Sequence, residues 1–203
     1  MGQIRKPVTG RTRDAVLFLD RCTLWLSNHW LGLFNTLAGL YVGLPVMAPI
    51  LVWLGLSGPA EVIYLVYSYL CHQLPQRSFF IVGNQVAFCQ RDVSIYGSIF
   101  IAGLAYATTG RRWRPLPWWG AALMILPALT DGSIQLSGPY ESTWYARVIT
   151  GTLVGVGTVW FLYPRFERAF GEVHQQVTKQ LQSAVLRDQE LLTRTTDAQD
   201  ETD

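Results

Sequence analysis

Residues 30–56 read WLGLFNTLAGLYVGLPVMAPILVWLGL and contain no charged side chain. An apolar run of about 20 residues is long enough to cross the hydrocarbon core of a bilayer as a helix. This run is longer than that minimum, so we expect the helix to cross with some tilt. A kink is expected at Pro45 or Pro49, because proline removes a helical hydrogen bond. The stretch predicts an integral membrane protein.

The composition of the whole chain points the same way. Of its 203 residues, 50% are hydrophobic and only 15% are charged, which is more apolar than a soluble domain of this length usually is. The charged residues fall in a few clusters, and no lysine occurs between His29 and Pro164. The basic residues lie at segment ends and form no stripe, so the sequence does not predict a nucleic-acid-binding protein.

Three further apolar segments are expected to cross the membrane: residues 93–109, 116–130 and 144–163. Residues 14–28 are expected to form an amphipathic helix at the interface, and residues after Pro164 keep apolar side chains near helical spacing. The predicted fold class is therefore an all-α integral membrane protein. It has about four transmembrane helices, a re-entrant half-helix and an amphipathic C-terminal helix.

The half-helix is inferred from the side of the membrane on which each segment is expected to lie. Basic residues cluster in segments 5–13, 111–114 and 165–168, which the positive-inside tendency places in the cytoplasm. The first span then ends outside, and the second must start outside to reach segment 111–114. Segment 57–92 must therefore enter and leave the membrane by the outer face. Its apolar part is shorter than the ~20 residues of a span, which predicts a re-entrant half-helix followed by a hairpin-like loop. The alternative is that residues 59–80 span the membrane and a short segment returns.

The loop 71–92 reads CHQLPQRSFFIVGNQVAFCQRD, and it carries polar groups that are costly near a membrane. The same crossing count places a second polar segment, 131–147, at the same outer end of the bundle. The polar site candidates of the two segments are Gln73, Arg77, Arg91, Asp131, Gln135 and Arg147. A structural alternative is that the charges only pair with one another and tie the loop to the helices.

Four short motifs in this region resemble a known family: CHQLPQRSF, CQRDVSIYG, DGSIQ and RVITGTLVG. They are similar to the signature of small polytopic membrane proteins of bacteria and archaea that are known only as a domain of unknown function. The resemblance covers roughly residues 65–163, and its most specific part is the paired CHQ and C-x-R-D elements. It implies a multi-helix membrane protein and no established reaction.

Three states are open for the cysteines of the loop. Cys71 and Cys89 could form a disulfide, since both are expected on the oxidising side of the membrane. They could instead bind a metal with His72 and a carboxylate from Asp92 or Asp131, a ligand set that suits zinc. They could also remain free thiols, including a redox pair. Zinc is thus the one cofactor that the sequence suggests. The sequence does not decide whether the protein is an enzyme.

The predicted domains are a basic arm and interfacial helix (1–28), a membrane domain (29–164), and a cytoplasmic amphipathic helix with a disordered acidic tail (165–203). The expected location is the cell membrane, crossed several times, with both termini cytoplasmic. The first functional hypothesis is an outward-facing Cys/His/Asp/Arg site that binds a metal or a small or lipid-like ligand. The alternatives are a small carrier acting as an oligomer, and an accessory or scaffold subunit. Expected partners are the lipid bilayer and a protein docked on the C-terminal helix.

Overall fold

The computed structural model describes residues 11–138 and 140–200, and side chains within 15–138, within 140–186 and at Gln189. The described residues form five α-helices and one two-stranded antiparallel sheet. The helices are α1 (Arg11–Trp53), α2 (Ser57–Ser68), α3 (Gln90–Thr108), α4 (Trp118–Ser137) and α5 (Trp144–Asp200). The strands are β1 (Ser78–Ile81) and β2 (Asn84–Cys89), both between α2 and α3.

Two of these helices are longer than the sequence predicts. Helix α1 joins the expected interfacial helix 14–28 to the first apolar segment without a break, because no glycine or proline occurs between Arg11 and Trp30. Helix α5 continues through Pro164 and ends at Asp200. It therefore includes most of the tail for which disorder is predicted. Residues 1–10, which hold much of the basic arm, and residues 201–203 lie outside the described residues.

Two helices of the described chain are long and apolar enough to cross a membrane, over Ala15–Trp53 and Trp144–Leu186. The protein is thus mostly helical, with two candidate membrane spans. The other two expected spans fall in α3 and α4, which have 19 and 20 residues. At 1.5 Å per residue each of these helices is about 30 Å long, close to the thickness of the hydrocarbon core. Four crossings remain a prediction.

The segment between α1 and α3 contains a short helix and a β-hairpin. Helix α2 has 12 residues, and a short 3-10 turn at Pro75–Arg77 leads into β1. Ile81 pairs with Asn84, so Val82 and Gly83 form a two-residue turn with φ values of 49° and 77°. Positive φ at both positions is the geometry of a type I′ hairpin turn. The hairpin-like loop is present, while its depth in a membrane remains a prediction.

A small apolar core holds the hairpin against α2. Val86, Ala87 and Phe88 of β2 are fully buried and pack against Tyr67 of α2. The Tyr67 hydroxyl donates to the backbone oxygen of Tyr41 at 2.8 Å, which links α2 to α1. Burying one side chain the size of Phe88 stabilises a fold by about 1.5–3 kcal/mol. The core therefore fixes the path of the chain on both sides of the hairpin.

The chain divides into two compact units. The unit Leu31–Phe166 contains α2, α3, α4 and the hairpin. The described parts of Met1–Trp30 and Glu167–Asp203 form the other unit. In that second unit the Trp30 indole donates to the Glu167 carboxylate at 3.2 Å and stacks on Phe170. The residues of the candidate site belong to the unit Leu31–Phe166.

Candidate functional site

The junction between β2 and α3 is built around Cys89, which is the N-cap of α3. Its sulfur accepts a hydrogen bond from the backbone N–H of Asp92 at 3.5 Å, and its thiol donates to the Asp92 carboxylate at 3.2 Å. This reciprocal contact is the cysteine counterpart of a capping box, in which the N-cap and the third helical residue bond each other. The C-x-R-D motif therefore has a local structural reason: it begins α3 and fixes Asp92 beside Cys89.

Cys71 completes a cluster with these two residues. The chain leaves α2 at Ser68 and places Cys71 in the core beneath the hairpin, where it is buried. Its thiol lies 4.0 Å from that of Cys89. The sulfur atoms of both cysteines and a carboxylate oxygen of Asp92 all lie within 4.8 Å of one another. The structure therefore brings together three of the five residues that the sequence suggests as metal ligands.

The two thiols influence each other's acidity. The Cys89 side chain is the main cause that lowers the pKa of Cys71 to about 7. The same contact raises the pKa of Cys89, and burial and the neighbouring Asp92 charge raise it further. Of the two thiols, Cys71 is therefore the one that more readily becomes a thiolate. A thiolate is the form that attacks electrophiles or binds a metal.

His72 and Gln73 differ from the cysteines in their surroundings. His72 is exposed and lies outside the cluster, although it lines the same pocket of about 380 Å³. Gln73 has a positive φ of 49°, and its side-chain amide donates to the Tyr64 carbonyl at 2.8 Å. Its own carbonyl accepts from the Gln85 amide at 2.6 Å. Gln73 thus ties the loop to α2 and to the hairpin.

The charged residues of the second polar segment form a separate network. Arg91 on α3 donates a hydrogen bond to Asp131 on α4, and this pair is largely buried. Asp131 also accepts from the hydroxyl of Ser142 at 2.7 Å and from that of Tyr140 at 3.2 Å. Asp131 does not belong to the metal-ligand cluster, which consists of Cys71, Cys89 and Asp92. The pair joins α3 to α4 and to the loop that precedes α5.

Arg147 makes different contacts from those expected. It shares the polar segment 131–147 with Asp131, which suggests that the two could pair, whereas its guanidinium donates to the Gln90 side chain at 3.2 Å and to the Gln76 carbonyl at 3.4 Å. It shares the Glu141 carboxylate with Arg77, at 3.8 Å from Arg147 and 3.5 Å from Arg77. The Arg147 side chain is only 4% exposed, whereas that of Glu141 is 60% exposed. A buried arginine therefore depends on a carboxylate that lies mostly in solvent.

Sequence reasoning missed two residues of this network, Gln90 and Ser142. Gln90 is buried and bridges the Ser78 carbonyl to Arg147. The sequence could have pointed to Gln90, because it directly follows the capping Cys89 and therefore lies in the first turn of α3. Glu141 and Ser142 lie in a loop whose sequence shows no periodicity, so only the fold reveals their contacts.

Comparison with known proteins places these residues in a recognised segment. Residues 71–161 match the family described as "Predicted membrane protein (DUF2085)". An uncharacterized protein of Methanocaldococcus jannaschii is 36% identical over 106 residues, covering 51% of this chain and 68% of that protein. An uncharacterized protein of Methanothermobacter thermautotrophicus is 31% identical over 91 residues, covering 45% of this chain and 82% of that protein. No solved structure matches significantly.

Proposed function

Since the chain belongs to the DUF2085 family of predicted membrane proteins, we propose that it is a membrane protein that binds a divalent metal, with zinc the best match, through Cys71, Cys89 and Asp92. The observation that carries this proposal is the convergence of two thiols and a carboxylate from two parts of the chain. Zinc accepts this combination of sulfur and oxygen ligands.

The spacing of the two thiols supports a metal over a ready-made disulfide. With Zn–S bonds of about 2.3 Å and a tetrahedral angle, two sulfur ligands lie about 3.8 Å apart. The thiols of Cys71 and Cys89 lie 4.0 Å apart, so both could reach one zinc with little movement. A disulfide would require the sulfur atoms to approach to about 2.05 Å. Both cysteines are free thiols here.

Three protein ligands leave one position of a tetrahedral zinc for water or another ligand. That position would open into the pocket of about 380 Å³, whose lining includes His72, Arg77 and exposed leucines. His72 is not needed as a ligand, and its exposed side chain would instead face whatever occupies the pocket. The exposed Leu70 and Leu136 make part of the pocket wall apolar.

We also propose the topology that the sequence predicts. The chain would cross the cell membrane four times through α1, α3, α4 and α5, with both termini in the cytoplasm. The start of α3, the end of α4 and the start of α5 would then all lie at the outer face. Segment 57–92, with α2 and the hairpin, would re-enter from that face. The lengths of α3 and α4 and the 12 residues of α2 support this arrangement.

Cobalt substitution tests the metal site directly. Co²⁺ replaces zinc in thiolate sites and gives an absorption band from sulfur-to-cobalt charge transfer, which zinc lacks. The reduced protein in detergent should show this band, and the variants Cys71→Ser and Cys89→Ser should each weaken it by about half or more. Cys22→Ser is the matched control, because Cys22 is exposed and belongs to the other unit. An absent band, or one lost only with Cys22, would refute the site.

The carrier and the accessory-subunit hypotheses remain predictions from the sequence. Docking of a protein on the C-terminal helix belongs with them.

A further inference from the structure

The four buried side-chain atoms without a hydrogen-bond partner, among the residues that the structure describes, are all N–H donors. They are Nε of Arg77, Nε of Arg91, Nε2 of Gln135 and Nε of Arg147. Buried donors in native proteins are almost always paired, since an unpaired one costs about 1–3 kcal/mol. Three of the four belong to the arginines that contact Glu141, Asp131 and Gln90, which indicates that this network can accept a partner rich in hydrogen-bond acceptors.

The charges around Arg77 and Arg147 favour an anion as that partner. These two arginines face a single carboxylate, that of Glu141. Arg91 is already neutralised by Asp131, and Asp92 is engaged with Cys89. Arg77 Nε lies 3.5 Å from Glu141 yet forms no hydrogen bond with it. Glu141 is therefore a loosely held counter-ion, positioned where a stronger anion would bind.

We infer that Arg77 and Arg147 form a binding site for a phosphate group. A guanidinium matches phosphate oxygens with two parallel N–H donors, which is why arginine dominates phosphate recognition. Phosphate brings more acceptor oxygens than the carboxylate that it would displace. The phosphate comes either from a phospholipid headgroup or from a free phosphate ion. The inference does not depend on the metal, because no arginine belongs to the metal-ligand cluster.

The role of Glu141 gives the inference a distinctive signature. If Glu141 occupies the place of the ligand, it competes with phosphate for Arg77 and Arg147. Removing its charge by Glu141→Gln should therefore strengthen phosphate binding, by several-fold. Arg77→Gln should weaken it by about tenfold or more, the value of one charge-assisted hydrogen bond. If the network had only a structural role, both substitutions would lower the stability of the protein. They would not change phosphate binding in opposite directions.

The experiment measures binding of inorganic phosphate to the full chain in a maltoside detergent, with a chelator and a reductant present so that metal cannot contribute. Arg112→Gln is the matched control, because Arg112 is exposed and lies outside the network. We expect saturable phosphate binding that is weaker in Arg77→Gln, stronger in Glu141→Gln and unchanged in Arg112→Gln. Arg147→Gln should also weaken binding, and the other two variants decide the result if its buried position prevents folding.

A second arm identifies the source of the phosphate. The protein is reconstituted in phosphatidylcholine bilayers with and without phosphatidic acid, and its thermal stability is measured with the same variants. Stabilisation by phosphatidic acid that follows the same order of variants supports a lipid headgroup. Binding of inorganic phosphate without that stabilisation supports a free ion. Failure of both probes, equal weakening by Arg112→Gln, or weaker binding in Glu141→Gln would overturn the inference.

Discussion

Arg91 at the start of α3 donates a hydrogen bond to Asp131 near the end of α4, and both side chains are largely shielded from solvent. The contact joins two helices that are consecutive in the chain. It lies beside Arg147 but does not include it, since Arg147 bonds to Gln90 and Gln76. Arg91 and Arg147 therefore have different partners.

The first prediction is that Arg91 and Asp131 are energetically coupled. Arg91→Gln and Asp131→Asn should each lower the free energy of unfolding by about 3 kcal/mol, because each leaves a shielded charge without its partner. The double variant should lose less than the sum, and the coupling should persist at high salt because shielded pairs are poorly screened. Arg147→Gln combined with Asp131→Asn is the control and should be close to additive. Coupling in the control pair alone would contradict the structure.

The sequence predicts where the polar site lies better than it predicts which charged residues pair within it. Hydropathy and charge place the two polar segments at the same end of the helices, and the structure brings Arg91 and Asp131 into contact there. Which arginine meets which carboxylate depends on helix rotation, and hydropathy does not encode it. The capping role of Cys89 could have been read from C-x-R-D, since a small polar residue three before an acid is a helix-start signal.

The lengths of α1 and α5 illustrate another limit of prediction from the sequence, which is the position of helix ends. The polar residues near Asp20 suggest a separate interfacial helix, but polar residues do not interrupt a helix as glycine or proline can. Pro164 lies inside α5 without ending it. The four predicted apolar segments fall largely within α1, α3, α4 and α5, while the ends of the helices follow from backbone hydrogen bonding and packing.

The second prediction concerns the hairpin turn. Val82 has a φ of 49°, a conformation that a β-branched residue rarely adopts. Val82→Asn should raise the free energy of unfolding by about 1 kcal/mol, because asparagine enters the left-handed region easily and Asn-Gly is the favoured type I′ pair. Val82 is 56% exposed, so little apolar burial is lost. Val82→Thr is the control and should bring no gain, and equal stabilisation by both would argue against turn strain.

The third prediction is the reactivity of Cys71. In metal-free, reduced Cys22→Ser protein, its alkylation rate should rise with pH around a midpoint of about 7, because the Cys89 side chain lowers the pKa of Cys71. Cys89→Ala removes that contact, so the midpoint should move to higher pH. Mass spectrometry of the alkylated peptide measures each rate. An unchanged midpoint in Cys89→Ala would mean that the two thiols do not interact.

The fourth prediction concerns the orientation of the helices. In a cysteine-free chain, Glu141→Cys should react with an impermeant thiol reagent in intact cells, because the loop before α5 is expected at the outer face. Arg112→Cys, in the loop between α3 and α4, should react only after the membrane is opened. Both positions are exposed, whereas Ser78 and Ser142 are buried and would report poorly. The reverse labelling pattern would invert the proposed topology.

The central claim is that Cys71, Cys89 and Asp92 hold a metal ion, and the metal content of the purified protein tests it most directly. Elemental analysis of protein purified without chelator, together with a count of free thiols, should find about one zinc per chain. Zinc should be lost in Cys71→Ser and Cys89→Ser, reduced in Asp92→Asn, and retained in Cys22→Ser and His72→Ala. Metal-free protein that also fails to take up added zinc after reduction, or zinc that stays bound in Cys71→Ser and Cys89→Ser, would contradict the account.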